Sequence, residues 1–287
     1  MRRWSPNRSN GFTTVVAPDG VTALDLARSD EVDLVISTTV TGLAVPSIEA
    51  RIAGRIGLRP DVKRLPLMGL GCVAGAAGVA RMHDYLRGWP DHVAVLLSVE
   101  LCSLTVQRDD DSMPNMVASA LFGDGAAAVV AVGADRAVRD GIDGPQVVAS
   151  SSHLYPDTQR TMGWDIGSTG FRIVLDAEVP TLVEQYLGED VKLFLAEHDL
   201  DPAEITSWVC HPGGPKVLQA VQMALGLPYS ALELTWRSLA AVGNLSSASV
   251  LHVLHDTIEQ RRPAPGVPGL LLAMGPGFCS ELVLLRW

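Results

Sequence analysis

The chain has 287 residues, a length that suits about two domains or one large one. Hydrophobic residues make up 47% and charged residues 19%, which excludes disorder and allows a sizeable core. A formal charge of −10 and an aromatic content of 5% argue against a nucleic-acid-binding face.

At the front, Met1-Arg2-Arg3-Trp4-Ser5 is basic, but polar residues follow it, so no signal peptide is expected. No run of about 18 apolar residues is free of a charge or a glycine, so no membrane span is expected. The first 30 residues are mostly polar. Val32 to Ser37 then predicts a short buried strand. Pro46 opens a predicted helix that ends near Gly57. Val62 to Leu67 predicts a strand, Gly69-Leu70-Gly71-Cys72 a turn, and the small residues after it a helix. Val93 to Val99 is uninterrupted and apolar, as in a strand buried on both faces. Asp109-Asp110-Asp111 reads as a solvated loop. A predicted helix and strand flank Phe122-Gly123-Asp124-Gly125. The polar stretch Asp135 to Gln146 marks a boundary between halves.

The second half repeats the theme. Glu184 to His198 predicts a helix and Ile205 to Cys210 a strand. His211-Pro212-Gly213-Gly214 is a turn before a helix that opens at Pro215. Gly243-Asn244 is a turn before a helix reaching Gln260. Leu270 to Ala273, a tight loop at Met274 to Gly277, and Glu281 to Leu285 complete the chain. Gly57-Leu58 overlays Gly226-Leu227 at an offset of 169, and Gly71-Cys72 overlays Gly243-Asn244 at 172. A duplicated α/β unit is expected, with halves 1–145 and 146–287 and helices on both sheet faces.

Three polar residues stand at predicted strand-to-helix joints: Cys72, His211 and Asn244. A helix N-terminus presents free N–H groups and a positive dipole end. A cysteine there is expected to have a lowered pKa and to act as a nucleophile. A histidine can pair with the thiolate, and histidine and asparagine can both donate to an oxyanion. A pseudo-twofold relation between the halves would bring Cys72 and Asn244 face to face. Singly, each residue has a plainer role, as a core cysteine or a turn former. Gly69 to Ala74 also fits G-x-G-x-x-A, but Asp91 precedes its strand, so a dinucleotide site is disfavoured. His252 and His255 lack further ligands for a metal. The four cysteines are too few for a disulfide framework and suit a reducing, cytoplasmic setting.

At these residues the sequence resembles the type III polyketide synthases, the chalcone-synthase-like enzymes. The matching segments are GLGCVAGAAG, SVELCSLTVQ, ALFGDGAAAVV, HPGGPKVL, GNLSSASVL and MGPG. The resemblance implies a thiolase-like fold layered α/β/α/β/α and a homodimer. It implies iterative decarboxylative Claisen condensation of malonyl-CoA onto an acyl-CoA starter, with no metal or redox cofactor. Carried across, Cys72 would hold the growing chain. His211 and Asn244 would stabilise the thiolate, oxyanion and enolate. Phe122 and Phe171 would be gatekeepers, and Cys102 and Thr105 would line the cavity that sets chain length. Gly213, Gly214 and Gly275-Pro276-Gly277 would border the substrate, and Val45 would reach into the partner subunit. The cysteine turn and the LCSLTVQRDD segment look most like bacterial members making alkylpyrones or alkylresorcinols from fatty acyl starters.

Only 71 residues precede Cys72, fewer than the resemblance implies. A shortened front is expected, with Arg2, Arg3, Arg8 or Lys216 as candidates for the CoA phosphates. Two alternatives stand beside the synthase: a 3-oxoacyl synthase III, and an inactive fragment or binding partner of a full synthase.

Overall fold

The computed structural model describes residues 13–17 and 29–287. Its centre is a nine-stranded sheet. The strands are β1 (Thr13–Ala17), β2 (Leu34–Thr38), β3 (Lys63–Leu67), β4 (Val93–Glu100), β5 (Gly125–Val132), β6 (Gln146–Leu154), β9 (Ser207–Cys210), β10 (Pro268–Gly275) and β11 (Cys279–Arg286). Their lateral order is β3-β2-β4-β5-β1-β6-β11-β10-β9. A separate hairpin joins β7 (Met162–Gly167) to β8 (Gly170–Leu175). The helices are α1 (Ile48–Ile52), α2 (Ala74–Gly88), α3 (Met113–Leu121), α4 (Ala134–Asp140), α5 (Val179–Ala196), α6 (Pro215–Leu225), α7 (Glu233–Val242) and α8 (Ser249–Gln260).

The two sides of the sheet repeat one pattern. β4 runs parallel to β2 and antiparallel to β5, as β10 runs parallel to β9 and antiparallel to β11. β5 and β11 then pair antiparallel with β1 and β6. α2 precedes β4 as α8 precedes β10. This is the duplication that the 172-residue offset predicts.

Burial sorts the elements into layers. α2 and α8 contribute Val79, Met82, Val250 and Leu254 to a central core that also takes Leu96 and Val129 from one half and Leu271 and Val283 from the other. On the outer face of the first half, Val35, Val95 and Val130 pack against Ile52 and Ala137. On the outer face of the second half, Val183, Leu187 and Leu218 pack against Leu270 and Leu284. The layers therefore run helix, sheet, helix, sheet, helix, with α2 and α8 in the middle. β4 and β10 are apolar at almost every position because each is covered on both faces.

Some elements depart from expectation. The helix expected to reach Gly57 ends at Ile52 and gives way to turns. Within the stretch from Asp135 to Gln146, the expected boundary between the halves, a short helix, α4, occupies the first part. Arg136 and Asp140 pair one turn apart there, and Ala137 packs inward. β6 carries Ser150-Ser151-Ser152 and so lacks an apolar signature. It pairs along β11, where the Ser152 hydroxyl donates to the buried Glu281 carboxylate at 2.6 Å.

The central helices touch at their N-termini. A Cβ on Gly75 would fall on the carbonyl oxygen of Ser247, well inside van der Waals contact, and close to Val250. Gly75→Ala must therefore push the two helices apart, at a cost of about 1–3 kcal/mol. A drop in urea midpoint without a change in the denaturant slope is the expected outcome.

Candidate active site

Cys72 lies buried in a short 3-10 turn, Gly71–Val73, that feeds directly into α2. Gly71 has φ +53, and a Cβ there would lie 2.6 Å from the Pro276 ring. The Gly275-Pro276-Gly277 loop thus braces the cysteine turn from outside. Cys72 Sγ stands 3.6 Å from the hydroxyl of Ser246. Ser246 is itself buried and held in the left-handed region at φ +50, a strained conformation of the kind found at working sites.

His211 follows the last residue of β9, and its N–H donates to Leu272 O at 2.9 Å. Neither imidazole nitrogen has a protein partner among the described residues, although the side chain is buried. Asn244 is fixed on every side. Its N–H donates to Leu121 O at 2.9 Å, and its carbonyl accepts from Gly123 N at 3.0 Å. Its Oδ1 accepts from Ser246 N at 2.8 Å, and its Nδ2 donates to Gly213 O at 3.3 Å. One amide hydrogen remains available for a bound oxygen.

Cys72, His211 and Asn244 line one cavity of about 760 Å³, with apolar walls from Leu175, Met274 and Phe278. Gly213, Gly214 and Lys216 border the same cavity. A smaller cavity of about 260 Å³ is lined by Cys102, Thr105, Trp164, Ile173 and Ser246. Phe122 faces both. Phe171 is not among the residues bordering either. Its ring packs on Trp164 with centroids 6.0 Å apart, and Ile173, two residues on, reaches the small cavity instead. Gly275 to Gly277 stand behind the cysteine turn, and the main cavity is met by the flanking Met274 and Phe278. Arg2, Arg3 and Arg8 lie outside the described residues. His252 is not free for a metal, since its Nε2 is 2.9 Å from Ala126 O.

The electrostatics correct one expectation. Burial pushes the Cys72 thiol up to about 12, against the helix N-terminus and the Ser246 and Asn244 contacts that favour the thiolate. Burial likewise pushes His211 down to about 4. Neither charge is solvated on its own, so the resting site is a thiol beside a neutral imidazole. Behind the site, the buried Glu100 accepts from Ser247 Oγ, from Val40 N at 3.0 Å and from Thr41 Oγ1 at 3.2 Å. Burial still raises its pKa above the ordinary carboxylate range.

Several contributors escaped the residue-level reading. Ser246 sits two residues after Asn244 within GNLSSA. Trp164 and Ile173 come from a hairpin whose glycines and mixed polarity hide the strands. Phe278 directly follows the Gly-Pro-Gly loop, and its aromatic side chain beside that motif was an available signal.

Comparison with known proteins agrees with this geometry. Residues 26–136 match the N-terminal domain of chalcone and stilbene synthases, and residues 146–287 match the C-terminal domain. The chain is 61% identical over 267 residues to a 1,3,6,8-tetrahydroxynaphthalene synthase of Streptomyces peucetius subsp. caesius, covering 92% of this chain and 70% of that protein. It is 30% identical over 259 residues to an alpha-pyrone synthesis polyketide synthase-like protein of Mycobacterium tuberculosis, covering 90% of this chain and 65% of that one. The crystal structure of a 1,3,6,8-tetrahydroxynaphthalene synthase from Streptomyces coelicolor A3(2), a bacterial type III polyketide synthase, superposes with a TM-score of 0.86. It is 31% identical, over 93% of this chain and 75% of that one. The fold is thus that of the thiolase-like condensing enzymes. The chain belongs to the chalcone and stilbene synthase family and is a type III polyketide synthase, an acyltransferase. Among the described residues, no helix is long and apolar enough to cross a membrane.

The histidine makes stability depend on pH. Its ordinary value is 6.5 and its folded value about 4, so the unfolded chain takes up a proton that the folded chain refuses. Its contribution falls as pH drops from about 6.5 towards 4, by about 3 kcal/mol. His211→Gln is expected to flatten the stability profile in that window, measured by urea unfolding at stepped pH.

Proposed function

We propose that the chain catalyses decarboxylative Claisen condensation of malonyl-CoA onto an acyl group carried by Cys72. The convergence of Cys72, His211 and Asn244 on one apolar cavity carries the reading. The Cys72 proton passes to His211, and the thiolate attacks the starter thioester. The oxyanion receives hydrogen bonds from His211 and from the free Asn244 amide hydrogen. The C–S bond to CoA breaks, and CoA leaves as the thiol with the proton from His211. Malonyl-CoA then loses carbon dioxide, and the same donors hold the enolate oxygen. The enolate carbon attacks the Cys72 thioester, a carbon–carbon bond forms, and the thiolate is released for the next round. Lys216, at the first turn of α6 and on the wall of the cavity, is the candidate contact for CoA phosphate.

The product reading follows the 61% identical relative. The ring system in that protein's name carries no alkyl chain, and a fatty starter would leave one. A tetrahydroxynaphthalene-type product assembled from malonyl-CoA alone is therefore the first reading. Alkylpyrones or alkylresorcinols from a fatty starter are the second, favoured by the Mycobacterium relative and by the apolar wall of the main cavity. Purified protein given malonyl-CoA alone is expected to release carbon dioxide and free CoA and to form a naphthalene product. Product only when a fatty acyl-CoA is added selects the second reading. Cys72→Ala is expected to abolish condensation, and unchanged product formation in it would overturn the assignment. A folded, monodisperse preparation with no turnover on either substrate set selects the inactive-fragment alternative. The family assignment displaces the 3-oxoacyl synthase III alternative.

The surface supports a homodimer. Among the described residues, β3 has a neighbour on one side only, and it exposes most of its residues. Leu65 on this strand, Met68 just after it, and Leu43 and Val45 in the loop after β2 are all exposed, Val45 at 96%. An open edge strand bordered by apolar side chains invites pairing with a second copy. The four cysteines are all free, which suits a reducing compartment such as the cytoplasm. Val45→Asp is expected to convert a dimer to a monomer by light scattering coupled to size exclusion. A dimer unaffected by Val45→Asp would move the interface elsewhere.

A further inference from the structure

A polar assembly built around the buried Tyr155 packs against Phe278 in the wall of the main cavity and takes no part in the steps above. Tyr155 ends the turn after β6 and is almost fully buried. Its ring is stacked between His153 and Tyr186, with both centroid distances 4.6 Å. Its hydroxyl donates to Asp190 on α5 and lies 3.0 Å from Ser280 Oγ. Asp190 also accepts from His153, with Nδ1 3.3 Å from Oδ1.

This assembly grips one residue of the cavity wall. Tyr155 N donates to Phe278 O at 2.9 Å. Phe278 N donates to Thr158 Oγ1 at 2.6 Å, and that hydroxyl donates back to Tyr155 O at 2.8 Å. The Phe278 ring packs on the Tyr155 ring, with centroids 5.8 Å apart. Phe278 is 1% exposed, and its inner face borders the cavity that holds Cys72. The Phe278 backbone is held by two hydrogen bonds and its ring by the tilted contact with Tyr155, which restrains the ring from swinging aside for a larger substrate. Burying a tyrosine hydroxyl on a carboxylate is costly unless both are satisfied, and here both are.

We propose that Phe278 is a specificity-determining residue for the acyl group bound at Cys72, and that Tyr155, through Asp190, is the positioning residue that keeps its ring in the cavity wall. The inference rests on the condensation reading above. It predicts that the size of residue 278 sets the longest acyl-CoA accepted. It also predicts that loss of the Tyr155 hydroxyl loosens that limit without touching the reacting atoms.

The test compares kcat/KM for acetyl-CoA and dodecanoyl-CoA starters with malonyl-CoA as extender. Phe278→Leu is expected to raise the dodecanoyl-to-acetyl ratio by about tenfold, as expected for one to two added methylenes of room. Phe278→Trp is expected to lower it. Tyr155→Phe keeps the ring stack and is expected to raise the ratio in the same direction but by less, through KM for the long starter rather than kcat. Near-ultraviolet circular dichroism of each variant reports whether the aromatic packing survives. A ratio that stays flat across all three folded variants overturns the proposal. If one variant does not fold, the remaining two must still move the ratio as stated, and failure to do so overturns it equally. Absence of condensation in the unaltered protein sinks the broader reading instead, so the two failures are told apart.

Discussion

The contact between two helix N-termini governs everything else in this molecule. α2 and α8 meet head to head at Gly75 and Ser247, between the two halves of the sheet. Each helix start offers unpaired N–H groups and roughly half a positive charge. One start carries Cys72 and the other carries Asn244 and Ser246, so the duplication itself delivers a thiol and an amide donor to one cavity. The converging dipoles need a counterweight. Glu100 supplies one from behind, with its carboxylate buried and bound by Ser247, Thr41 and the Val40 amide. A larger residue at position 75 would separate the two ends and dilute the field at the thiol, which ties a packing requirement to a chemical one.

Burial then decides the resting state of the site. The same close packing that gathers the groups removes the water that would solvate a thiolate or an imidazolium. Burial holds Cys72 as the thiol and His211 as the neutral imidazole. Such a site is protected from stray electrophiles between turnovers. Asn244 is immobilised by four hydrogen bonds within the protein.

Much of this was legible in the residues. Doubly buried strands such as β4 announce themselves by unbroken apolar runs, and the 172-residue offset between Cys72 and Asn244 exposed the duplication. The three polar residues at strand-to-helix joints were readable because helix starts are where such groups have chemistry to do. Three kinds of feature were not. β6 hid because Ser150, Ser151 and Ser152 break the apolar run, one of them meeting the buried Glu281. The β7–β8 hairpin hid because its glycines break the alternation, and with it went Trp164 and Ile173. The pKa of Cys72 could not be read from the helix-start rule, because the competing desolvation depends on tertiary packing and not on local sequence. Phe171 and Ile173 show how fine the margin is: one pleat along a strand decides which of two large side chains meets a cavity.

The backbone pairing of Phe122 with Asn244 has a consequence for traffic. The phenylalanine stands between the two cavities, and the strand segment that carries it is stitched to the asparagine by the Gly123 and Leu121 hydrogen bonds. A loop movement that opened the partition would drag the oxyanion donor out of register. Rotation of the Phe122 ring about its own bonds, a motion of picoseconds to nanoseconds when unobstructed, leaves that pairing intact. Phe122 is thus a partition hung on a fixed post: its ring can turn between the two chambers without moving Asn244.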